Sequence, residues 1–162
     1  MVTQAIATSI IINSRGWRVA IRTVGGNKLK ETLDKFKVQK PMRLIYGYFP
    51  NATYPNGTFV ASVAMWNEFG TSKIPERPFF RHANKLLSKE VTHLAKRYKE
   101  INTGLLHAIG EFAVSNIHKS ILGSGISYAA NSPYTISVKK SSKPLVDTGR
   151  LLNSATYKVT NL

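Results

Sequence analysis

The groups able to ligate a metal or move a proton are few: four histidines, eight carboxylates and no cysteine. His107 and Glu111 fall one helical turn apart with His118 further along the same face, an arrangement that could hold a divalent cation. The spacing matches no established metal motif, and a solvated helix face accounts for it equally well. His82 and His93 are three turns apart, too far for one ligand shell, and read as surface groups. Asp147, beside Thr148 and Arg150, has two uses: a catalytic carboxylate, or a helix cap accepting backbone N–H bonds, which is the ordinary role of aspartate there. Ser124 sits between two glycines, but the stretch 122–126 lacks the G-x-S-x-G spacing of a nucleophile turn. No P-loop and no dinucleotide fingerprint occurs. The expectation is a protein without catalysis, cofactor or metal.

The charge balance carries more information. Among 162 residues, 23 are Lys or Arg and 8 are Asp or Glu, a formal charge of +15. Such an excess attracts polyanions and opposes compaction. Arg18 and Arg22 share one face of an alternating stretch, and Lys85, Lys89, Lys96 and Lys99 lie on the outer side of a helical one. Both could follow a phosphate backbone. No zinc ligands, RRM aromatics or basic-zipper heptads are present, so DNA contact would be without base readout. Docking on an acidic protein surface explains the charge as well.

The elements that must position these groups follow from periodicity. Gly16 to Val24 alternates Trp17, Val19, Ile21 and Thr23 with Arg18, Ala20 and Arg22, a strand pattern. Asn27 can cap a short basic helix over Lys28 to Lys37, closed by Pro41. Met42 to Phe49 reads as a second strand, and Pro50 to Thr58 as turn chemistry returning the chain antiparallel. Phe59 to Trp66 fits either a strand or a helix running to Phe69. From Phe80 to Glu100, Ala83, Leu87, Val91, Leu94 and Tyr98 step by three or four, and Leu105 to Leu122 repeats the pattern with Leu105, Ile109, Phe112, Ile117 and Ile121. These form a helical hairpin ended by Gly123-Ser124-Gly125. Beyond a polar connection, Asp147 or Thr148 caps one helical turn through Asn153, and Ala155 to Val159 alternates as a last strand.

The expected fold is α+β: one domain over residues 1–162, with a small, mainly antiparallel sheet against a long two-helix hairpin. No apolar run reaches the roughly 20 residues that cross a bilayer, so no membrane partner is expected. The apolar N-terminal stretch is preceded by no basic residue and closed by no cleavage site, against a secretory signal. The absence of cysteine fits a reducing compartment.

One segment stands apart. Trp66 to Arg81, WNEFGTSKIPERPFFR, places two prolines, a glycine and four aromatics in a loop. Pro75 and Pro78 stiffen the backbone on both sides of Glu76-Arg77, and Gly70 permits a turn after Phe69. It reads as a rigid arm from which Arg77 projects, either toward a neighbouring subunit or packed on its own domain. The charge of Glu76 suggests that its part of the loop faces solvent or a basic neighbour.

The phrases NEFG, IPERPF and, later, LVDTGRLLNS, in this order with a long helical segment between the second and third, resemble the virion morphogenesis or tail completion proteins of tailed bacteriophages. The likeness spans about Met42 to Val159. Its signature positions are Asn67, Glu68, Phe69, Gly70, Pro75, Arg77, Pro78 and Phe79, with Asp147, Thr148, Gly149 and Leu151. The resemblance implies a homo-oligomeric ring, a hexamer by preference, at the virion neck and assembled in the bacterial cytoplasm. Its partners would be the head-closure or connector protein and the tail terminator or tail tube, with genomic double-stranded DNA in the channel. The signature positions are then candidates for subunit and neck interfaces. The alternatives are a tail terminator and a non-specific DNA-binding protein.

Overall fold

The computed structural model describes residues 7–13, 16–18, 41–98 and 100–161. Strands β1 (Ala7–Asn13), β2 (Gly16–Arg18), β3 (Met42–Gly47) and β4 (Thr156–Asn161) form a sheet in the order β2-β1-β3-β4, antiparallel at every pairing. Ile12 lies opposite Met42 and Ala7 opposite Gly47, while Met42 and Gly47 face Asn161 and Thr156 across the other edge of β3. The central strand explains itself: Met42, Leu44 and Tyr46 are buried, and the alternate Arg43 and Ile45 are only partly covered. Period-two alternation fixes which face meets the helices.

The strand expected from Gly16 is paired over Gly16–Arg18; its continuation to Val24 and the helix expected over Lys28 to Lys37 lie outside the described residues. Strand β1 was not expected, the N-terminal apolar stretch having been weighed only as a targeting signal.

The chain leaves β3 through a tight turn. Tyr54 N–H donates to the Thr58 carbonyl and Gly57 N–H to that of Tyr54, with Gly57 at φ 78°. The antiparallel return lasts one bridge, Thr53 to Phe59, before helix α1 (Val60–Phe69) begins. The strand-or-helix ambiguity is thereby resolved as helix, because the buried positions Val60, Ala61, Ala64 and Glu68 recur at helical spacing. Gly70, at φ 71°, stops it; a Cβ there would lie 3.0 Å from the Glu76 backbone nitrogen.

Helices α2 (Phe79–Tyr98) and α3 (Thr103–Ile121) make the hairpin that covers the sheet. Ala83, Leu87, Val91 and Leu94 are buried as the spacing predicts. Asn102 starts α3 by accepting from Leu105 N–H at 2.9 Å. The deepest stripe of α3 runs through Leu105, Leu106, Ile109, Ala113, Ile117 and Ile121, leaving Phe112 at its margin and 39% exposed, against the expectation that it faces the core. His82 is half-buried rather than a surface group: its Nδ1 lies 2.9 Å from Ser120 Oγ and ties the two helices together. At Gly110 the Tyr157 ring of β4 lies so close that a Cβ would overlap it, which lets sheet and helix approach.

Two short helices follow. Helix α4 (Pro133–Lys139) falls in what reads as a polar connection; Ser132 caps it and Pro133 opens it. Helix α5 (Arg150–Asn153) is the expected single turn, but Gly149 at φ 75° occupies its N-cap with no side-chain bond, so neither Asp147 nor Thr148 caps it. With the glycine at the cap, Thr148 falls one position too early and Asp147 two. The whole is an α+β fold, a small antiparallel sheet packed against a two-helix hairpin.

Candidate functional site

The arm that joins α1 to α2 folds back on its own subunit. Its stiffness, read from two prolines and a glycine, serves a buried polar network. Helix α2 begins Pro78-Phe79-Phe80, with no Ser, Thr, Asp or Asn to satisfy its first N–H groups. Glu68, fully buried at the end of α1, supplies the acceptor from elsewhere: its carboxylate takes the N–H of Phe80 at 2.7 Å and of Arg81 at 3.0 Å. An anion at a helix N-terminus also meets the positive end of the helix dipole. The same carboxylate pairs with Arg81 Nε at 2.8 Å, and Arg81 Nη2 donates to the Glu68 carbonyl and to Glu76. This carboxylate bond is the main reason that Arg81 is held above its ordinary pKa. Glu76 is exposed, as its charge suggests, but its partner is Arg81 of its own chain.

Arg77 does not project. It is 5% exposed. Its guanidinium donates from Nε to the Ala129 carbonyl (3.0 Å), from Nη1 to Asn67 Oδ1 (3.1 Å), and from Nη2 to the Ala130 carbonyl (3.2 Å) and Asn131 Oδ1 (3.3 Å). Its own N–H donates to the Asn67 carbonyl at 2.6 Å. The planar fork spans acceptors on two segments about sixty residues apart, a geometry that only arginine offers. Burial depresses its pKa. Asn67 is fixed in turn by Nδ2 donating to the Val63 carbonyl.

The other signature positions divide by exposure. Phe79 packs edge-on against Tyr48 and is buried; Pro78 is half-buried. Phe69 is 53% exposed, with the Arg81 guanidinium 5.5 Å from its ring centre. Pro75, Asp147 and Thr148 are exposed, Gly149 makes the α5 cap, and Leu151 is buried.

These separated phrases meet around one cleft of about 440 Å³. Asn67, Pro75 and Arg77 line it from the arm, Asp147 and Leu151 from the C-terminal phrase, and Thr135 and Lys139 from α4. Tyr54, Trp66 and Leu145 add apolar wall. Leu145 holds φ 60°, a left-handed backbone that costs a branched residue about 1–3 kcal/mol. Sequence reasoning missed Lys139 as an individual and the 129–131 segment that receives Arg77. Ser132-Pro133, a cap followed by the residue favoured at the first helical position, was the legible sign that α4 existed.

The basic candidates lie elsewhere. Lys85, Lys89 and Lys96 are exposed on α2, within about 40° of one another around the axis. Arg18 lies in β2; Arg22 and Lys99 are outside the described residues. His107 Nδ1 lies 3.2 Å from the Tyr157 hydroxyl. Among the described residues no three His, Cys, Asp or Glu stand together as a metal site would require. None of the described helices is long and apolar enough to cross a membrane.

No protein-family model, no curated protein and no solved structure matches the chain.

Proposed function

We propose that the chain is a structural protein of the bacteriophage virion neck. In this reading it assembles into a homo-oligomeric ring, hexameric by preference, completes the tail, and joins it to the head-closure or connector protein. The tail terminator or tube lies on the other side, and genomic DNA passes through the ring. The protein acts by assembly and performs no reaction. The observation that carries the reading is the meeting of the phrases behind the resemblance: residues from NEFG, IPERPF and DTG, as far as eighty positions apart, line one cleft and its supporting network. Residues that act as one unit explain why those phrases occur together.

The location of the work shifts within the signature. Glu68, Arg77, Phe79 and Leu151 hold the subunit together, so contact with neighbours falls to the exposed members Phe69, Pro75, Asp147 and Thr148. Purified protein imaged by negative-stain electron microscopy and sized by sedimentation should show closed rings. A phage lacking the gene should accumulate full heads and separate tails. A protein that stays monomeric at high concentration, with virions that join normally without it, would sink the proposal.

The lysine row of α2, exposed and without an ion pair among the described residues, favours a second reading, a non-specific DNA-binding protein. Its mark would be a monomer whose DNA affinity falls steeply with salt.

A further inference from the structure

Two cations at the cleft, Arg77 and Lys139, make no ion pair among the described residues. Four of the five N–H groups of Arg77 donate to neutral oxygens, two carbonyls and two asparagine amides, and no carboxylate of the described residues pairs with it. Lys139 is held by its ammonium donating to the carbonyls of Lys143 and Val146. Asp147 lies near enough to favour its charge without making an ion pair, while burial and Arg77 work against it, burial being the larger effect. A buried cation ordinarily has an anion beside it, because hydrogen bonds to neutral groups replace only part of the lost hydration. Here Arg77, buried, and Lys139, half-buried, line one cavity, and exposed Lys73 adds a third cation at its rim.

The remaining wall narrows the class of anion. Trp66, Ile74 and Leu145 offer apolar contact beside the charges. A duplex displays its phosphates on a convex rod, which suits the exposed row on α2; a concave space of about 440 Å³ takes one extended segment at a time. A second copy of this chain is a poor source of that segment. It has eight acids, no two adjacent in sequence, and Arg81 already binds Glu68 and Glu76.

We infer that the cleft between the arm, α4 and the DTG loop is a docking site for an extended acidic segment of a different protein, with apolar side chains interspersed among its carboxylates. The inference rests on the neck reading only for who the neighbour is. The incoming carboxylates supply the ion-pair partners that Arg77 and Lys139 do not have among the described residues, and the apolar side chains cover Trp66 and Leu145.

The test is titration calorimetry on the full chain with an acetylated peptide amide of aspartate, glutamate and leucine. Its counterpart with asparagine and glutamine, and a short DNA duplex, serve as comparisons. Lys73→Glu changes the net charge as Lys89→Glu does, but only the first lies at the cleft. The acidic peptide should bind, with affinity reduced about tenfold or more by Lys73→Glu and within about twofold of wild type in Lys89→Glu. Absence of binding, equal binding of the neutral peptide, displacement of the peptide by an equal amount of duplex, or equal losses in the two variants would each overturn it. Sedimentation separates the two proposals. Rings that form while the acidic peptide fails to bind remove the cleft proposal alone, and peptide binding by a protein that never forms rings removes the neck reading alone.

Discussion

Arg77, in the arm just before α2, and Arg81, in its first turn, carry the same sign of charge as Lys85, Lys89 and Lys96 along its outer face, in opposite surroundings. The arginines are wrapped in oxygen: Arg81 by Glu68 and Glu76, Arg77 by carbonyls and amides of two segments. The lysines are exposed and make no ion pair among the described residues. The guanidinium fork can hold several fixed acceptors in one plane, whereas an ammonium on a flexible stem stays hydrated. A net charge of +15 is therefore not one property. Part of it is architecture and is spent inside the subunit; another part, the lysine row of α2, is exposed to solvent.

The comparison breaks most readily at Glu68. Glu68→Ala removes the acceptor of two α2 N–H groups and the partner of Arg81 in a fully buried position. Losing one member of a buried pair costs about 3–5 kcal/mol, or a fall of about 10 °C in Tm for a chain of this size. Circular dichroism melts check it, and a loss under about 1 kcal/mol would mean that the network is ornamental. Next comes Arg77→Ala, expected to cost about 3 kcal/mol by leaving the oxygens of Asn67, Ala129 and Ala130 unpaired. Arg77→Lys should recover only part, since one ammonium cannot span them. If the alanine variant melts like wild type but fails to assemble, the arm reaches outward after all.

Sequence alone revealed what depends on spacing and hid what depends on contacts made at a distance. The α2–α3 hairpin and strands β3 and β4 were legible because Leu87, Val91, Leu105 and Leu44 repeat with the period of their element. Helix α1 stayed ambiguous because Glu68, the fourth member of its buried set, counts as polar in any hydrophobic pattern. Arg77 was read as protruding for the same reason: nothing local announces the Ala129 and Ala130 carbonyls that receive it. A clue did exist in the bare start of α2, where the lack of a capping side chain left N–H groups requiring an acceptor from elsewhere. The cleft was legible only as a list of phrases, because their convergence is a property of the fold.

A third effect concerns the sheet side of the hairpin. Gly110→Ala drives a methyl into the Tyr157 ring, and overpacking of this kind costs about 1–3 kcal/mol. Gly110→Ala combined with Tyr157→Ala should recover part of that loss, which a pair of denaturant melts can read. High pH probes buried Tyr48 and half-buried Tyr54 and Tyr128. Burial raises the pKa of Tyr48, Tyr54 and Tyr128 in the folded state. Groups raised in this way contribute stability that is complete below their unfolded value of about 10 and is lost as pH climbs through the folded values. Unfolding free energy from these groups should stay level up to about pH 10 and then decline, with tyrosinate absorbance lagging behind that of free tyrosine.

The smallest effect on stability is expected where the charges are free. Replacing Lys85, Lys89 and Lys96 together by glutamine changes exposed side chains that make no ion pair among the described residues, so each change should move stability by less than about 0.5 kcal/mol. Binding is where those lysines would count. If they follow DNA phosphates, the slope of log affinity against log salt should lessen by about 0.9 for each lysine lost, roughly 2.7 in all. If α2 instead faces an acidic protein ring, the slope for DNA stays put while attachment to that ring weakens. An equal loss of stability from this triple variant and from Arg77→Ala would erase the distinction between the two sets of cations. A preserved melt with an altered salt slope would show that α2 and the arm leading into it keep one set for holding the fold and the other for binding DNA.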